Sequence, residues 1–254
     1  MIKLPVSGWQ VDLPALTGFH ESVFLDTRYL SEAQSLVAIF PQLVESESPR
    51  NWADLPVSDA DALLLTIRRS AFGDTLQADA YCPSTDCRAR VDIAFQIGDY
   101  LRHHTPTPDK KSTREDTTWW NREGVRFRVP TLGDEIEASG AKNPAQHLMS
   151  LCIDGQPNAK SVSKVSAALD HIAPNLSGEL TATCPDCENA ISFAFDPRAF
   201  VLKEIRGLAS YLDEDVHLLA SAYHWSYAEI LSLPRVRRSQ FAERIRIDLR
   251  GGEA

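Results

Sequence analysis

Two short cysteine turns constrain this chain more than any other feature. They are Cys82-Pro-Ser-Thr-Asp-Cys87 and Cys184-Pro-Asp-Cys187. Each follows a polar–apolar run, Leu76–Tyr81 and Glu179–Thr183. Each precedes an alternating segment, Val91-Asp-Ile-Ala-Phe95 and Ile191-Ser-Phe-Ala-Phe195, and then a stretch of helical character. Alternation with a period of two marks a strand with one face buried. The unit therefore reads strand, cysteine turn, strand, and it occurs twice. Such self-similarity reports a duplicated structural unit.

Four thiolates at two close spacings suit one tetrahedral Zn²⁺, a borderline-soft ion that accepts sulfur ligands. The favoured reading is a structural zinc site made of Cys82, Cys87, Cys184 and Cys187. The C-x2-C pair fits a tight metal turn, and the C-x4-C pair is looser but within common ligand spacing. Two other readings compete: two turns with partly buried thiols and no metal, or a redox pair at Cys184 and Cys187. No thioredoxin-like βαβ pattern surrounds the second turn, which disfavours redox chemistry. Cys152 lies on an apolar helical face and reads as core.

The chain has 254 residues, a formal net charge of -9 and a pI near 5.3. Its long-range field repels phosphate, which disfavours non-specific binding to nucleic acid or anionic membranes. No apolar run approaches the ~20 residues needed to cross a bilayer. The first residues lack the apolar centre of a signal peptide, so a cytoplasmic location is expected. In a reducing cytosol, paired cysteines are more often metal ligands or redox groups than structural disulfides.

The expected fold class is α+β. It has two pseudo-repeated halves of helix plus short antiparallel cysteine hairpin, with a helical C-terminal region. Residues 1–104 form an N-terminal arm, helices and the first cysteine unit. Residues 105–121, polar and proline-bearing, read as a mobile linker or an insertion. Residues 122–200 hold the second half, and 201–254 the C-terminal helices. Within this frame, a helix is expected over Tyr29–Val44, ended or kinked at Pro41, with a loop at 45–50. Ser58 is expected to cap the next helix, and Gly73 to end it. Ser226 is expected to cap a short helix before a basic amphipathic one that starts at Arg235 and frays at Gly251-Gly252. Of the adjacent Trp119 and Trp120, at least one ring is expected to be anchored.

For catalysis the sequence offers no G-x-S-x-G, P-loop, G-x-G-x-x-G or H-E-x-x-H, so a non-enzymatic protein is expected. His103 and His104 read as the solvated edge of the linker, and His217 as a hydrogen-bonded structural histidine. Arg235, Arg237, Arg238, Arg244 and Arg246 invite a nucleic-acid reading. Against the net charge of -9, a solvated face or docking on an acidic protein partner is favoured.

The segment from Val216 to Arg238, which contains Trp225-Ser226 and then Glu229-Ile-Leu-Ser-Leu-Pro234, resembles the ending of baseplate hub assembly proteins of contractile phage tails. Relatives of those proteins occur with extracellular contractile injection systems. Asp61-Ala-Leu-Leu-Leu-Thr-Ile-Arg-Arg-Ser-Ala-Phe-Gly73 before a cysteine turn is similar to the family's first half. Phe127-Arg-Val-Pro-Thr131 before an acidic helix is similar to its recurrent arginine-leucine-proline-threonine element. The C-x4-C turn, where C-x2-C is commoner, and the stretch Thr105–Thr118 depart from that pattern. The resemblance implies an assembly chaperone without enzymatic activity, with hub or spike proteins as partners and no membrane. The alternative is a zinc-ribbon regulator that binds nucleic acid.

Overall fold

The structure is a computed structural model that describes residues 1–45 and 51–251. The expected loop from Ser46 to Arg50 and the tail after Gly251 lie outside the described residues. The class is α+β, as expected.

The N-terminal lead folds back on itself. Strand β1 (Ile2–Lys3) pairs antiparallel with β2 (Gln10–Val11), and Leu4 and Val11 enter the core. Helix α1 (Gly18–Asp26) is capped through Thr17, whose backbone N–H donates to His20 Nδ1 at 2.9 Å. Helix α2 (Glu32–Leu43) opens on a reciprocal cap between Ser31 and Gln34. Pro41 sits inside α2, so of the two expected outcomes, an end or a kink, the end is not what happens there. So close to the C-terminal end, the missing N–H costs one ladder bond and the helix closes two residues later.

Helix α3 (Val57–Phe72) corrects a second expectation. It starts directly after Pro56, and Ser58 lies inside its first turn instead of capping it. The acids there do more than favour the helix dipole. Asp59 accepts the backbone N–H groups of Val6 and Ser7 at 2.9 and 2.7 Å, which pins the N-terminal arm. Gly73, at φ +90°, ends the helix in a conformation open to glycine.

The first cysteine unit then follows: β3 (Thr75–Tyr81), β4 (Arg90–Gln96) and α4 (Ile97–His103). The stretch 105–121 supplies β5 (Ser112–Arg114) and most of β6 (Trp119–Arg122), which form an antiparallel sheet with β7 (Val125–Arg128). Thr107 N–H donates to the His171 carbonyl at 2.7 Å. Arg122 pairs with Asp109 at 2.7 Å, both side chains nearly buried. Both tryptophans lie under guanidinium groups, Trp119 under Arg126 and Trp120 under Arg114. Helices α5 (Leu132–Ser139), α6 (Pro144–Cys152) and α7 (Ala159–Ile172) complete this region. Phe127, Ile153, Val165 and Ala168 form its own buried cluster.

The second cysteine unit is β8 (Gly178–Thr183), β9 (Ala190–Phe195) and α8 (Pro197–Ala209). Helix, hairpin and helix thus occur twice, as α3–β3–β4–α4 and α7–β8–β9–α8. Val91, Ile93, Phe95 and Tyr100 line up with Ile191, Phe193, Phe195 and Phe200. Equivalent residues also meet in space: the Phe95 and Phe195 rings stand edge-to-face at 5.3 Å. Segments 1–104 and 122–200 share one core with the start of 201–254: Phe24, Leu36, Leu64 and Ile97 pack with Leu132, Leu176 and Phe195 and with Leu202 and Ile205.

The C-terminal helices are α9 (Leu212–Tyr223), α10 (Tyr227–Ser232) and α11 (Arg235–Gly251). Ser226 caps α10 reciprocally with Glu229, as expected. The group seats on α1 at Gly18, where an added Cβ would stand 2.8 Å from Leu231 and 3.0 Å from Arg238. No described helix is long and apolar enough to cross a membrane.

Buried ion pairs tie these layers together. Arg68 on α3 holds Glu204 on α8 through two bonds of 2.9 Å. Arg198 on α8 bridges Asp61 on α3 and Glu135 on α5. Burial pushes Asp61 up to about 7 against the pull of Arg198. Burial also weighs most on Arg198, yet Asp61 and Glu135 together outweigh it and hold the guanidinium charged above its usual range. Removing one member of such a buried set leaves an uncompensated charge, at a cost of about 3 kcal/mol. Asp61→Ala is expected to lower unfolding free energy in urea by about that amount. Asp79→Ala, which breaks the exposed pair to Arg90, is expected to change it by less than about 1 kcal/mol.

Candidate metal centre

The hairpins place their cysteines by register. In the first, Tyr81 pairs with Arg90, and Cys82 N–H donates to the Ala89 carbonyl at 2.9 Å. In the second, Thr183 pairs with Ala190, and Cys184 N–H donates to the Asn189 carbonyl at 2.9 Å. The residue after the second cysteine of each turn is left-handed, Arg88 at φ 50° and Glu188 at φ 61°. The two turns therefore end on the same three-residue geometry. The two additional residues of C-x4-C are absorbed at the exposed tip, where Thr85 and Asp86 face solvent. The looser spacing does not displace Cys87.

The four sulfurs converge. Cys82 Sγ lies 3.5 Å from Cys187 Sγ, and Cys87 Sγ lies 3.8 Å from Cys184 Sγ. All four lie within 4.8 Å of one another. A tetrahedral Zn²⁺ with Zn–S bonds of about 2.3 Å has S···S edges of about 3.8 Å, so the donor set fits. Cys82 and Cys184 are buried and the other two half-buried. Ala80, Val91 and Ile191 pack around them.

Polar N–H groups flank the sulfurs. Backbone N–H groups of Ser84, Ala89 and Asn189 point at the sulfurs of Cys82, Cys87 and Cys187. Asn189 Nδ2 also donates to Cys187 Sγ at 3.5 Å. At Cys187 the Asn189 N–H, helped by the other thiols, draws the group down to about 7. At Cys87 the Ala89 N–H favours the thiolate, but neighbouring thiols and burial outweigh it and push the group up to about 12. Close-set thiols share negative charge poorly without a cation, which is the electrostatic condition of a metal site. With four protein ligands a tetrahedral ion has no open position, so the arrangement suits a structural role.

The remaining candidates fall elsewhere. Cys152 is buried, and burial pushes its thiol up to about 12. His104 Nδ1 donates to the Tyr100 carbonyl at 2.9 Å. The arginines of α11 divide. Arg238 is buried against Glu21, at 2.7 and 2.8 Å. Arg235 joins Glu21, and Arg246 pairs with Asp215 and Glu214. For these three the acidic partner lies within the chain, which corrects the expected solvated or partner-facing role. Arg237 and Arg244 stay exposed. Nothing in the local pattern around Glu21 or Asp215 announced these pairs.

The fold and the centre define an α+β protein whose two cysteine hairpins are joined at a compact four-thiol cluster compatible with a structural metal. The family model described as T4 bacteriophage base plate protein matches residues 1–167, and the chain belongs to that family. The match takes in Cys82 and Cys87 and ends before Cys184, Cys187 and the C-terminal helices. No curated protein and no solved structure matches the chain.

The left-handed residues give a direct test of the turn geometry. Non-glycine residues in that conformation cost about 1–2 kcal/mol, and glycine's loss of freedom on folding offsets part of the relief. Arg88→Gly is expected to leave thermal stability unchanged or raise it by up to about 1 kcal/mol. Arg88→Val, β-branched at the same position, is expected to lower it by more than about 1 kcal/mol.

Proposed function

We propose that this chain is a non-enzymatic assembly factor or minor component of a contractile-tail baseplate. Its two halves are stapled by one Zn²⁺ on Cys82, Cys87, Cys184 and Cys187. It holds hub or spike subunits in the cytoplasm while the particle is built. Membership of the base plate family carries this reading. An assembly factor must cover apolar surface on a subunit until the next one arrives. Tyr211 at the cap of α9 and Tyr227, Val236 and Ile247 on α10 and α11, each more than half exposed, offer apolar contact for that task. The reading as a nucleic-acid regulator is weaker, because Arg235, Arg238 and Arg246 already face carboxylates.

Protein purified without added metal is expected to contain about one zinc per chain by elemental analysis. Chelation or Cys184→Ser is expected to remove the zinc and lower the melting temperature. A metal-free chain with an unchanged melting temperature would end the staple. Affinity capture from cells that build the particle is expected to recover a hub or spike protein in stoichiometric amount. Recovery of the chain without any tail protein would end the assembly role.

A further inference from the structure

A cavity of about 300 Å³ lies between the N-terminal arm, α3 and α4. Its walls are apolar, with Ile2, Leu4, Ala62, Leu101 and Leu176 among them. Four residues with cationic or cation-forming side chains, from three parts of the chain, are among the lining residues: Lys3, Arg69, Arg102 and His104. No carboxylate lines it among the described residues. On a chain of net charge -9, a cavity lined by three basic residues and a histidine runs against the average surface.

The cations are weakly engaged. Arg69 reaches Asp74 only at 3.9 Å, with both side chains well exposed. Arg102 pairs with Asp99 in the open, three residues away on α4. Exposed pairs of this kind hold their members loosely. The His104 bond to the Tyr100 carbonyl fixes the ring through Nδ1 and leaves Nε2 available. A second cavity of about 320 Å³ shares Ile2, Thr66 and Arg69 with the first. Arg69 thus stands where a longer ligand would pass from one to the other.

A ligand for this site must carry an anion and an apolar group within a few ångströms of each other. In a polypeptide the last residue does so, with its α-carboxylate and side chain on one carbon. An internal aspartate or glutamate carries charge in place of the apolar group. Capture of a chain end by converging donors is a recurrent recognition mode, and a small apolar pocket with a few polar groups is the usual form of such sites. We propose that this cavity binds the C-terminal carboxylate and apolar last side chain of a partner protein. The proposal goes beyond the baseplate role and does not depend on the zinc staple.

The test uses the full chain and fluorescence anisotropy. The probes are fluorescein-labelled octapeptides that end in leucine, isoleucine, valine or phenylalanine, each as free acid and as C-terminal amide. At least one acid is expected to bind, more weakly as salt rises, with its amide at least about tenfold weaker. Replacing both exposed cations, Lys3→Gln with Arg69→Gln, is expected to weaken the acid by about tenfold and to leave the amide unchanged. Arg90→Gln, an exposed arginine outside the cavity, is expected to change neither. Circular dichroism and zinc content of each variant separate a lost fold from a lost site. Equal binding of acid and amide overturns the proposal, as does the absence of any acid binding below about 1 mM. Binding of octanoate without binding of any peptide also overturns it, since the ligand would then be a small carboxylic acid.

Discussion

A two-stranded hairpin has too little buried surface to stand alone in water. The two cysteine hairpins of this protein meet that limit together, each completed by the other. At one end of the joint the four cysteine sulfurs draw together. At the other, Phe95, Tyr100 and Phe195 pack edge-to-face or tilted at 5.3–5.4 Å. Between these ends Ile93, Ile191 and Phe193 line the shared face. Aromatic pairs of this geometry contribute beyond their buried area, so the joint is fixed by directional contacts at both ends. Duplication explains the economy: the same register that aims Cys87 and Phe95 aims Cys187 and Phe195.

The hairpins reach the rest of the molecule through α3 and α8, and here charge does the locating. Arg68 binds Glu204 and also donates to the carbonyls of Gly73 and Thr75, at the start of the first hairpin. Arg198, at the first turn after the second hairpin, answers Asp61. Each unit therefore enters the core beside an arginine that links α3 to α8. Buried pairs of this kind add little net stability over well-packed apolar residues. They fix which helix faces which, and at what height. Arg238 with Glu21 and Asp215 acts in the same way between α1, α9 and α11.

Local pattern made much of this legible. The cysteine turns, the alternating strands beside them, the stop at Gly73 and the cap at Ser226 all write their signal within a few residues. The α+β class followed from counting such units. What escaped depends on distant partners. Asp59 and Asp61 look like ordinary acids of a helix start until Val6, Ser7 and Arg198 are brought to them. The polar stretch at 105–121 looks like a linker because its anchors, Arg122 and the His171 carbonyl, lie outside it. Ser58 illustrates the converse: a good cap residue lost its role because the helix already begins at Val57, directly after the extended Pro56.

The placement of the four sulfurs limits what a metal there controls. They sit at the tips of the hairpins in a small cluster of their own, separate from the large core of α1, α2, α3 and α8. That core keeps its own contacts between the halves through Phe195, Leu202 and Ile205 and through the arginine pairs. A cation on the cysteines would therefore govern the order of the two hairpins more than the existence of the helical body. Loss of it would leave the close-set thiols without a shared cation, with Cys87 and Cys187 the less buried pair. The metal-dependent part of the fold would then be the hairpin pair, while the helical surface offered to partners keeps its shape.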